Sequence, residues 1–124
     1  MTTQENKKGC LITLTQFGED TDAVAMPLAL ANAAKVAGEE VLLWLTLDGV
    51  ELAKIGSAET LISRSFAPVS ELLDSFIENG GRIGICPPCG KTHSLNDDNM
   101  IANAEWMGAV ALLEESSGWR TLSF

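Results

Sequence analysis

Two cysteines, Cys86 and Cys89, flank a pair of prolines and carry the chemistry that this sequence predicts. Two thiols in one turn lie close enough to form a disulfide, to share a proton or to hold a soft metal ion. Pro87 and Pro88 stiffen the turn between them and remove two backbone N–H donors. The motif follows the short, largely apolar segment Arg82–Ile85, which places both thiols at the end of a predicted strand.

Two further residues, Lys91 and His93, add a cation and a titratable imidazole within a few positions of the thiols. His93 is the single histidine of the chain. Positive charge beside a thiol lowers its pKa, and each unit of lowering corresponds to about 1.36 kcal/mol in favour of the thiolate. The sequence therefore predicts Cys86 and Cys89 as reactive thiols, with Lys91 and His93 as supporting residues that tune or position them.

The composition of the chain favours a cytoplasmic protein that binds neither nucleic acid nor an anionic membrane surface. The 124 residues suit one domain, and the formal net charge of −9 leaves no basic stripe for phosphate groups. Purely apolar segments such as Val41–Leu45 are far too short to span a bilayer. Residues 1–8 lack the apolar segment of a signal peptide and are predicted to form a flexible polar leader before a single domain over residues 9–124.

The cysteine count agrees with that compartment. Three cysteines, an odd number, argue against a disulfide scaffold. In a reducing cytoplasm, a Cys-x-x-Cys motif is more often catalytic or metal-binding than structural. The motif is therefore interpreted as a chemical site.

Apolar strands that alternate with helices predict an α/β fold with a mostly parallel sheet covered by helices on both faces. The predicted strands are Cys10–Thr15, Glu40–Thr46, Arg82–Ile85, a short strand near Ile101–Glu105, and Trp119–Phe124. The predicted helices are Ala23–Val36, a helix that Pro68 and Ser70 open and that runs to about Asn79, a helix near Ala109–Ser116, and one or two short helical turns between Val50 and Ala67. The Ala23–Val36 helix is apolar on more than one face, so a second subunit is expected to cover part of it.

Functional sites of parallel sheets lie at the carboxyl ends of the strands, and the Cys86 motif occupies such an end. The loops Gln16–Asp22 and Asp48–Gly56 also follow strands and are expected to share that edge. Cys10 begins its strand and is therefore expected at the opposite edge. A six-residue strand is about 20 Å long, so Cys10 is not expected to reach Cys86 within one subunit.

The order of three segments carries a resemblance to a known family. Asp48–Val50 comes first, Gly80–Lys91 follows, and a short acidic turn then leads to a closing apolar strand. This arrangement looks like the DsrE/DsrF-like (DsrEFH) proteins over most of the chain from Cys10 to Phe124. The resemblance implies a three-layer α/β/α sandwich on a parallel five-stranded sheet, often assembled as a trimer or hexamer. It also implies sulfur-carrier chemistry, in which one cysteine accepts a persulfide and passes it on, and that cysteine corresponds here to Cys86.

The chain departs from the sulfur carriers of that family by its second cysteine, Cys89, and by the flanking Lys91 and His93. The combined prediction is a small sulfur-relay or thiol-redox protein, with Cys86 as the acceptor and Cys89 as the resolving partner. The expected partners are a sulfur donor, a sulfur acceptor and further copies of the chain in a homo-oligomer, with no cofactor and no metal. A stoichiometric carrier and a sulfurtransferase-like or thiol-oxidoreductase enzyme both fit these residues.

Three other interpretations of the motif stay open. Thioredoxin-like dithiol exchange suits a Cys-Pro-Pro-Cys sequence, although the motif comes late in the chain and no proline follows Pro88 to face it. Cys86, Cys89 and His93 could instead bind a metal, with a fourth ligand from another subunit or from a carboxylate such as Asp97. The alternative function is therefore a non-catalytic, metal- or small-ligand-binding regulatory subunit. The structural alternative is a buried, inert pair of small apolar side chains.

Overall fold

The computed structural model describes residues 8–124, and five parallel strands lie at the centre of the fold. They are β1 (Gly9–Leu14), β2 (Glu40–Leu45), β3 (Arg82–Ile85), β4 (Ala104–Trp106) and β5 (Arg120–Ser123). Their order across the sheet is β4-β3-β2-β1-β5, and every neighbouring pair is parallel. Each strand overlaps a segment that the sequence predicts as a strand, so the predicted parallel sheet is confirmed.

Helices connect the strands throughout residues 8–124. The α-helices are α1 (Asp22–Val36), α2 (Val69–Glu78), α3 (Pro87–Thr92) and α4 (Ala109–Glu115). Two 3₁₀ helices, Leu47–Ala53 and Ala58–Thr60, agree with the short helical turns expected between Val50 and Ala67. The segment after Cys86, expected as a strand-end loop that feeds a helical turn, forms the six-residue helix α3.

One strand begins later than the sequence predicts. The strand expected near Ile101–Glu105 begins at Ala104, because the backbone of Ile101 is already engaged elsewhere. Its N–H group donates to the carbonyl oxygen of Ala53 at 2.9 Å, which ties this segment to the loop after β2. A backbone group held by that loop is not available to the sheet ladder.

The predicted polar leader, residues 1–8, lies outside the described residues except for Lys8. The carbonyl oxygen of Lys8 accepts a hydrogen bond from the N–H group of Glu40 at 3.0 Å, so this residue is joined to the start of β2. Among residues 8–124, no helix is both long enough and apolar enough to cross a bilayer.

Alternate residues of each strand point to opposite faces of the sheet and build two apolar cores. The larger core lies between the sheet and helices α1 and α2, and it includes Ile12, Leu14, Val24, Leu28, Leu43, Leu45, Leu73, Phe76, Ile83 and Ile85. On the other face, Leu11 and Leu42 pack with Met107 and with Leu112 of α4. Burial on both faces explains why the central strands β1, β2 and β3 are mostly apolar, and it confirms the three-layer α/β/α architecture.

The parallel register brings the carboxyl ends of β2 and β3 together. Leu45 pairs with Ile85, so Thr46 and Cys86, the next residues, begin neighbouring loops. The N–H group of Cys86 donates to the carbonyl oxygen of Leu45 at 2.9 Å, which extends the ladder by one bond. The start of the cysteine motif is therefore fixed directly to the end of β2.

The loop after β2 folds closely onto the end of β1. A Cβ atom at Gly49 would lie 2.1 Å from the carbonyl oxygen of Leu14, a distance that only glycine can accommodate. Two backbone hydrogen bonds hold this turn, from the N–H of Thr46 to Leu14 at 3.1 Å and from the N–H of Gly49 to Thr46 at 2.9 Å. The first 3₁₀ helix consequently begins at a fixed point beside α3.

Candidate functional site

The cysteine motif forms the junction between β3 and α3 at the carboxyl edge of the sheet. Cys86 is the N-cap of α3 and has an extended backbone, with φ −63° and ψ 116°. Pro87 occupies the first helical position. The fixed φ of proline suits the start of a helix, and the backbone N–H group that proline lacks would have no partner there. The carbonyl oxygen of Cys86 then accepts a hydrogen bond from Gly90 at 2.9 Å. The predicted placement of Cys86 and Cys89 in one turn at this edge agrees with these contacts.

Cys89 is contacted by the loop that follows β2. The hydroxyl oxygen of Thr46 lies 3.4 Å from the sulfur of Cys89, within hydrogen-bonding distance for a sulfur atom. The next residue, Leu47, has a left-handed backbone with φ 51°, which is unusual for a residue with a branched side chain. Non-glycine residues in this region persist where the surrounding structure holds them, and they occur often at functional sites.

The contacts around Cys89 favour its thiolate form. A hydrogen bond from the Thr46 hydroxyl is the largest influence and lowers the pKa of Cys89 below its ordinary value. Partial burial opposes this shift, whereas hydrogen bonds from the Leu47 N–H and from the Cys86 thiol reinforce it. Both Cys86 and Cys89 are free thiols and are only partly buried. The structure therefore presents an accessible pair of thiols in which one sulfur is stabilised as an anion.

A small pocket opens onto Cys89. Its volume is about 190 Å³, and its lining residues are Leu47, Asp48, Cys89, Thr92 and His93. Asp48 also borders a second pocket of about 220 Å³ in the loop after β1, so the two cavities are neighbours along the same edge. The sequence assigns two loops to this edge, Gln16–Asp22 and Asp48–Gly56, and residues of both loops line these pockets.

His93 ends α3 and faces two carboxylates. Its Nδ1 atom lies 2.7 Å from Oε2 of Glu51, and its Nε2 atom lies 3.2 Å from Oδ1 of Asp48. Glu51 also accepts a hydrogen bond from Lys54 at 3.1 Å. Burial raises the pKa of Glu51, but hydrogen bonds from His93 and Lys54 outweigh it, so the pKa lies below its ordinary value. This network joins the end of α3 to the first 3₁₀ helix.

The predicted supporting residues differ in what they contact. His93 lines the Cys89 pocket, with its ring nitrogens directed at Asp48 and Glu51. Lys91 is exposed on α3. The hydrogen bonds that lower the pKa of Cys89 come instead from Thr46, Leu47 and Cys86.

The metal-binding alternative gains no support from the described part of the chain. Within residues 8–124, no three or more His, Cys, Asp and Glu side chains are grouped so that they could hold a metal ion. Asp97, the suggested fourth ligand, accepts a hydrogen bond from the indole N–H of Trp106 at 2.9 Å. Cys10 is fully buried and lies in the second position of β1, at the opposite edge of the sheet as predicted.

The sequence did not indicate Thr46 or Glu51 as site residues. Thr46 ends the predicted strand Glu40–Thr46. Its hydroxyl at the carboxyl end of a central strand is the sequence feature that could have indicated a site residue. Glu51 offered no comparable signal, because its contact with His93 spans 42 residues of sequence.

Replacement of Glu51 by glutamine should lower the free energy of unfolding by about 1 kcal/mol at neutral pH, because the charged acceptor of His93 and Lys54 is lost. The pKa of Glu51 is lowered in the folded state. The stabilisation that its carboxylate provides is therefore present above pH 4.5, the ordinary pKa, and is lost as the pH falls through the folded-state pKa. Urea denaturation near neutral pH and at about pH 3 should show the difference between wild type and variant shrinking in acid. Glu59→Gln, an exposed glutamate in the second 3₁₀ helix, is the matched control, and an equal loss in that variant would contradict the prediction.

Comparison with known proteins identifies the relatives of this chain. The model of the DsrE/DsrF-like family matches residues 8–124. The chain is 33% identical over 109 residues to the uncharacterized protein MK0008 of Methanopyrus kandleri. The matched region covers 88% of this chain and 82% of that protein.

Solved structures show the same fold at low sequence identity. The YchN protein of E. coli is similar with a TM-score of 0.69 and 15% identity, over 95% of this chain and 99% of that one. The protein of unknown function MTH1491 from Methanobacterium thermoautotrophicum also has a TM-score of 0.69, at 9% identity, over 95% and 100% of the two chains. Because the family model matches all of residues 8–124, the chain belongs to the DsrE/DsrF-like family.

Proposed function

We propose that this chain is a small sulfur-relay or thiol-redox protein that carries a persulfide or a disulfide on Cys86 and Cys89. The observation that carries the proposal is a pair of accessible free thiols in one turn, one of which opens into a pocket. Membership of the DsrE/DsrF-like family supports it, since this is a fold of the sulfur-relay type. A reactive thiol needs to be both accessible and stabilised as the thiolate. Both thiols are partly exposed, and the hydrogen bond from Thr46 lowers the pKa of Cys89.

The transfer of sulfur to such a pair takes two balanced steps. In the first, a thiolate of the pair attacks the outer sulfur of a persulfide donor, R–S–SH. The donor S–S bond breaks, RS⁻ leaves with the electron pair, and a protein persulfide forms. The persulfide then passes its outer sulfur to the thiolate of an acceptor protein.

The second cysteine provides another outcome. Its thiolate attacks the inner sulfur of the persulfide, which releases HS⁻ and leaves a disulfide between Cys86 and Cys89. The outer sulfur is reduced and the pair of thiols is oxidised by two electrons. A dithiol reductant returns the pair to its starting state.

The supporting residues have distinct parts in this proposal. His93 forms one wall of the pocket and is positioned by Asp48 and Glu51. Lys91, exposed on the same helix, provides a positive charge near the path of an anionic sulfur donor.

The proposed setting of this activity is supported by the surface and the charge of the chain. The activity is carried on one domain, residues 9–124, in the cytoplasm, with a sulfur donor and a sulfur acceptor protein as partners. Exposed apolar side chains on two helices support a homo-oligomer, a trimer or hexamer: Leu30 and Val36 on α1, and Val110 and Leu113 on α4. The net charge of −9 supports the exclusion of nucleic acid as a partner.

The test is intact-protein mass spectrometry of reduced, metal-stripped protein after exposure to glutathione persulfide. Wild type should either gain the mass of one sulfur atom or, where the second cysteine has released HS⁻, lose the mass of two hydrogen atoms as the disulfide forms; the double variant Cys86→Ser/Cys89→Ser should do neither. Cys10→Ser, which removes the buried cysteine at the opposite edge, should gain sulfur as the wild type does. A folded wild type that neither gains sulfur nor forms the disulfide would overturn the proposal and favour the alternative, a regulatory subunit that binds a small ligand in the same pocket.

A further inference from the structure

We propose that Cys89, and not Cys86, is the first sulfur acceptor, and that Thr46 is the positioning residue that holds its sulfur ready for attack. The inference rests on the proposed function and assigns the two thiols different parts in it. It reverses the roles that the sequence predicted for the pair. The reason is that the loop after β2 contacts one thiol, that of Cys89.

Donors from the loop after β2 lie at the sulfur of Cys89. The Thr46 hydroxyl lies 3.4 Å from that sulfur, across 43 residues of sequence. The left-handed backbone of Leu47, with φ 51°, turns the chain directly after Thr46. Hydrogen bonds from Thr46 to Leu14 and from Gly49 to Thr46 hold this turn in place. The donors are therefore pre-organised, and they do not have to move when the sulfur becomes charged.

Cys86 occupies a different position in the same motif. Its N–H and carbonyl groups are used in backbone hydrogen bonds with Leu45 and Gly90, which fix its place at the start of α3. The contact from the Thr46 hydroxyl goes to the other thiol, that of Cys89. Cys86 is thereby suited to act second.

The pocket also distinguishes Cys89 from Cys86. Among the described residues, the lining of the 190 Å³ cavity includes Cys89 but not Cys86. A small persulfide donor that enters this cavity meets the sulfur of Cys89 first. The Cys89 thiolate then attacks the outer sulfur of the donor, the donor S–S bond breaks, and the leaving thiolate takes the electron pair. Cys86 acts afterwards, when its thiolate attacks the inner sulfur and releases HS⁻.

The location of the accepted sulfur distinguishes the two assignments. After exposure to glutathione persulfide, Cys86→Ser should still gain sulfur, and peptide mapping should place it on Cys89. Cys89→Ser should lose at least about 90% of the initial uptake rate, which corresponds to a tenfold change. Uptake by Cys89→Ser at the wild-type rate, with the sulfur on Cys86, would overturn the assignment.

The role of Thr46 is tested by a measurement that needs no sulfur donor. Thr46→Val should slow alkylation of Cys89 by iodoacetamide near neutral pH about tenfold, because one hydrogen bond to a charged atom is lost, and should move the pH–rate profile upward. Thr46→Ser should restore the rate, and Thr60→Val, whose hydroxyl bonds to Ser57 away from the site, should leave it unchanged. Equal rates in Thr46→Val and wild type would overturn the positioning role.

The two measurements separate failure of this inference from failure of the proposed function. If no form of the protein accepts sulfur, the proposed function fails, and the acceptor assignment fails with it. The alkylation profile still decides whether Cys89 is the more reactive thiol. If sulfur is accepted on Cys86 alone, the proposed function stands and the assignment to Cys89 is wrong.

Discussion

Replacement of Gly49 by alanine should both destabilise the protein and reduce the reactivity of Cys89. A Cβ atom at this position would lie 2.1 Å from the carbonyl oxygen and 2.8 Å from the carbonyl carbon of Leu14. Both are backbone atoms of a central strand, so the loop after β2 has to move away. Overpacking of this kind costs about 1–3 kcal/mol. The displaced loop carries Thr46 and Leu47, so the hydrogen bonds to Cys89 should be lost with it.

Two measurements on Gly49→Ala check this prediction. Urea denaturation should give a lower midpoint with an unchanged slope, and alkylation of Cys89 near neutral pH should slow about tenfold. Gly108→Ser is the matched control, because a Cβ atom there meets open space and serine suits the N-cap position of α4. Unchanged stability and alkylation in Gly49→Ala would show that the loop does not require glycine.

Replacement of Phe76 by alanine should have the largest effect on stability. Its ring, on α2, is fully buried in the larger core. Removal of a buried phenylalanine side chain costs about 3–5 kcal/mol, a large share of the 5–15 kcal/mol that stabilises an ordinary domain. The ring also packs under Gly81, where a Cβ atom would lie 2.2 Å from it. Loss of the ring should therefore loosen the start of β3, which leads directly to Cys86.

The measurement for Phe76→Ala is the free energy of unfolding in urea, with Phe66→Ala as the control. Phe66 is 38% exposed on a loop, and its replacement should cost less than about 1 kcal/mol. A double-mutant cycle tests the contact itself. Gly81→Ala should destabilise the wild type but cost less in a Phe76→Leu background, where the smaller side chain leaves room. Additive costs would contradict the packing described for this pair.

The strands and helices were largely predictable from sequence because each depends on local pattern. Arg82–Ile85 is largely apolar between Gly81 and Cys86, and the structure has a strand with those bounds. The helix predicted over Ala23–Val36 differs from α1 by one residue. The strand near Ile101–Glu105 was placed too early, because a hydrogen bond from Ile101 to Ala53, distant in sequence, decides where the sheet begins.

The sequence by itself determined that the two thiols share one turn at the carboxyl edge, since Cys86 and Cys89 are separated by only two residues. Adjacency along the chain limits how far such groups can separate, and the parallel sheet sets the edge. Only the tertiary structure decided which sulfur meets the Thr46 hydroxyl and which carboxylate meets His93. Those contacts span 43 and 42 residues, and they depend on the register between β2 and β3 and on the close approach of Gly49 to β1. Such distances are fixed by packing between elements, which no local pattern of residues encodes.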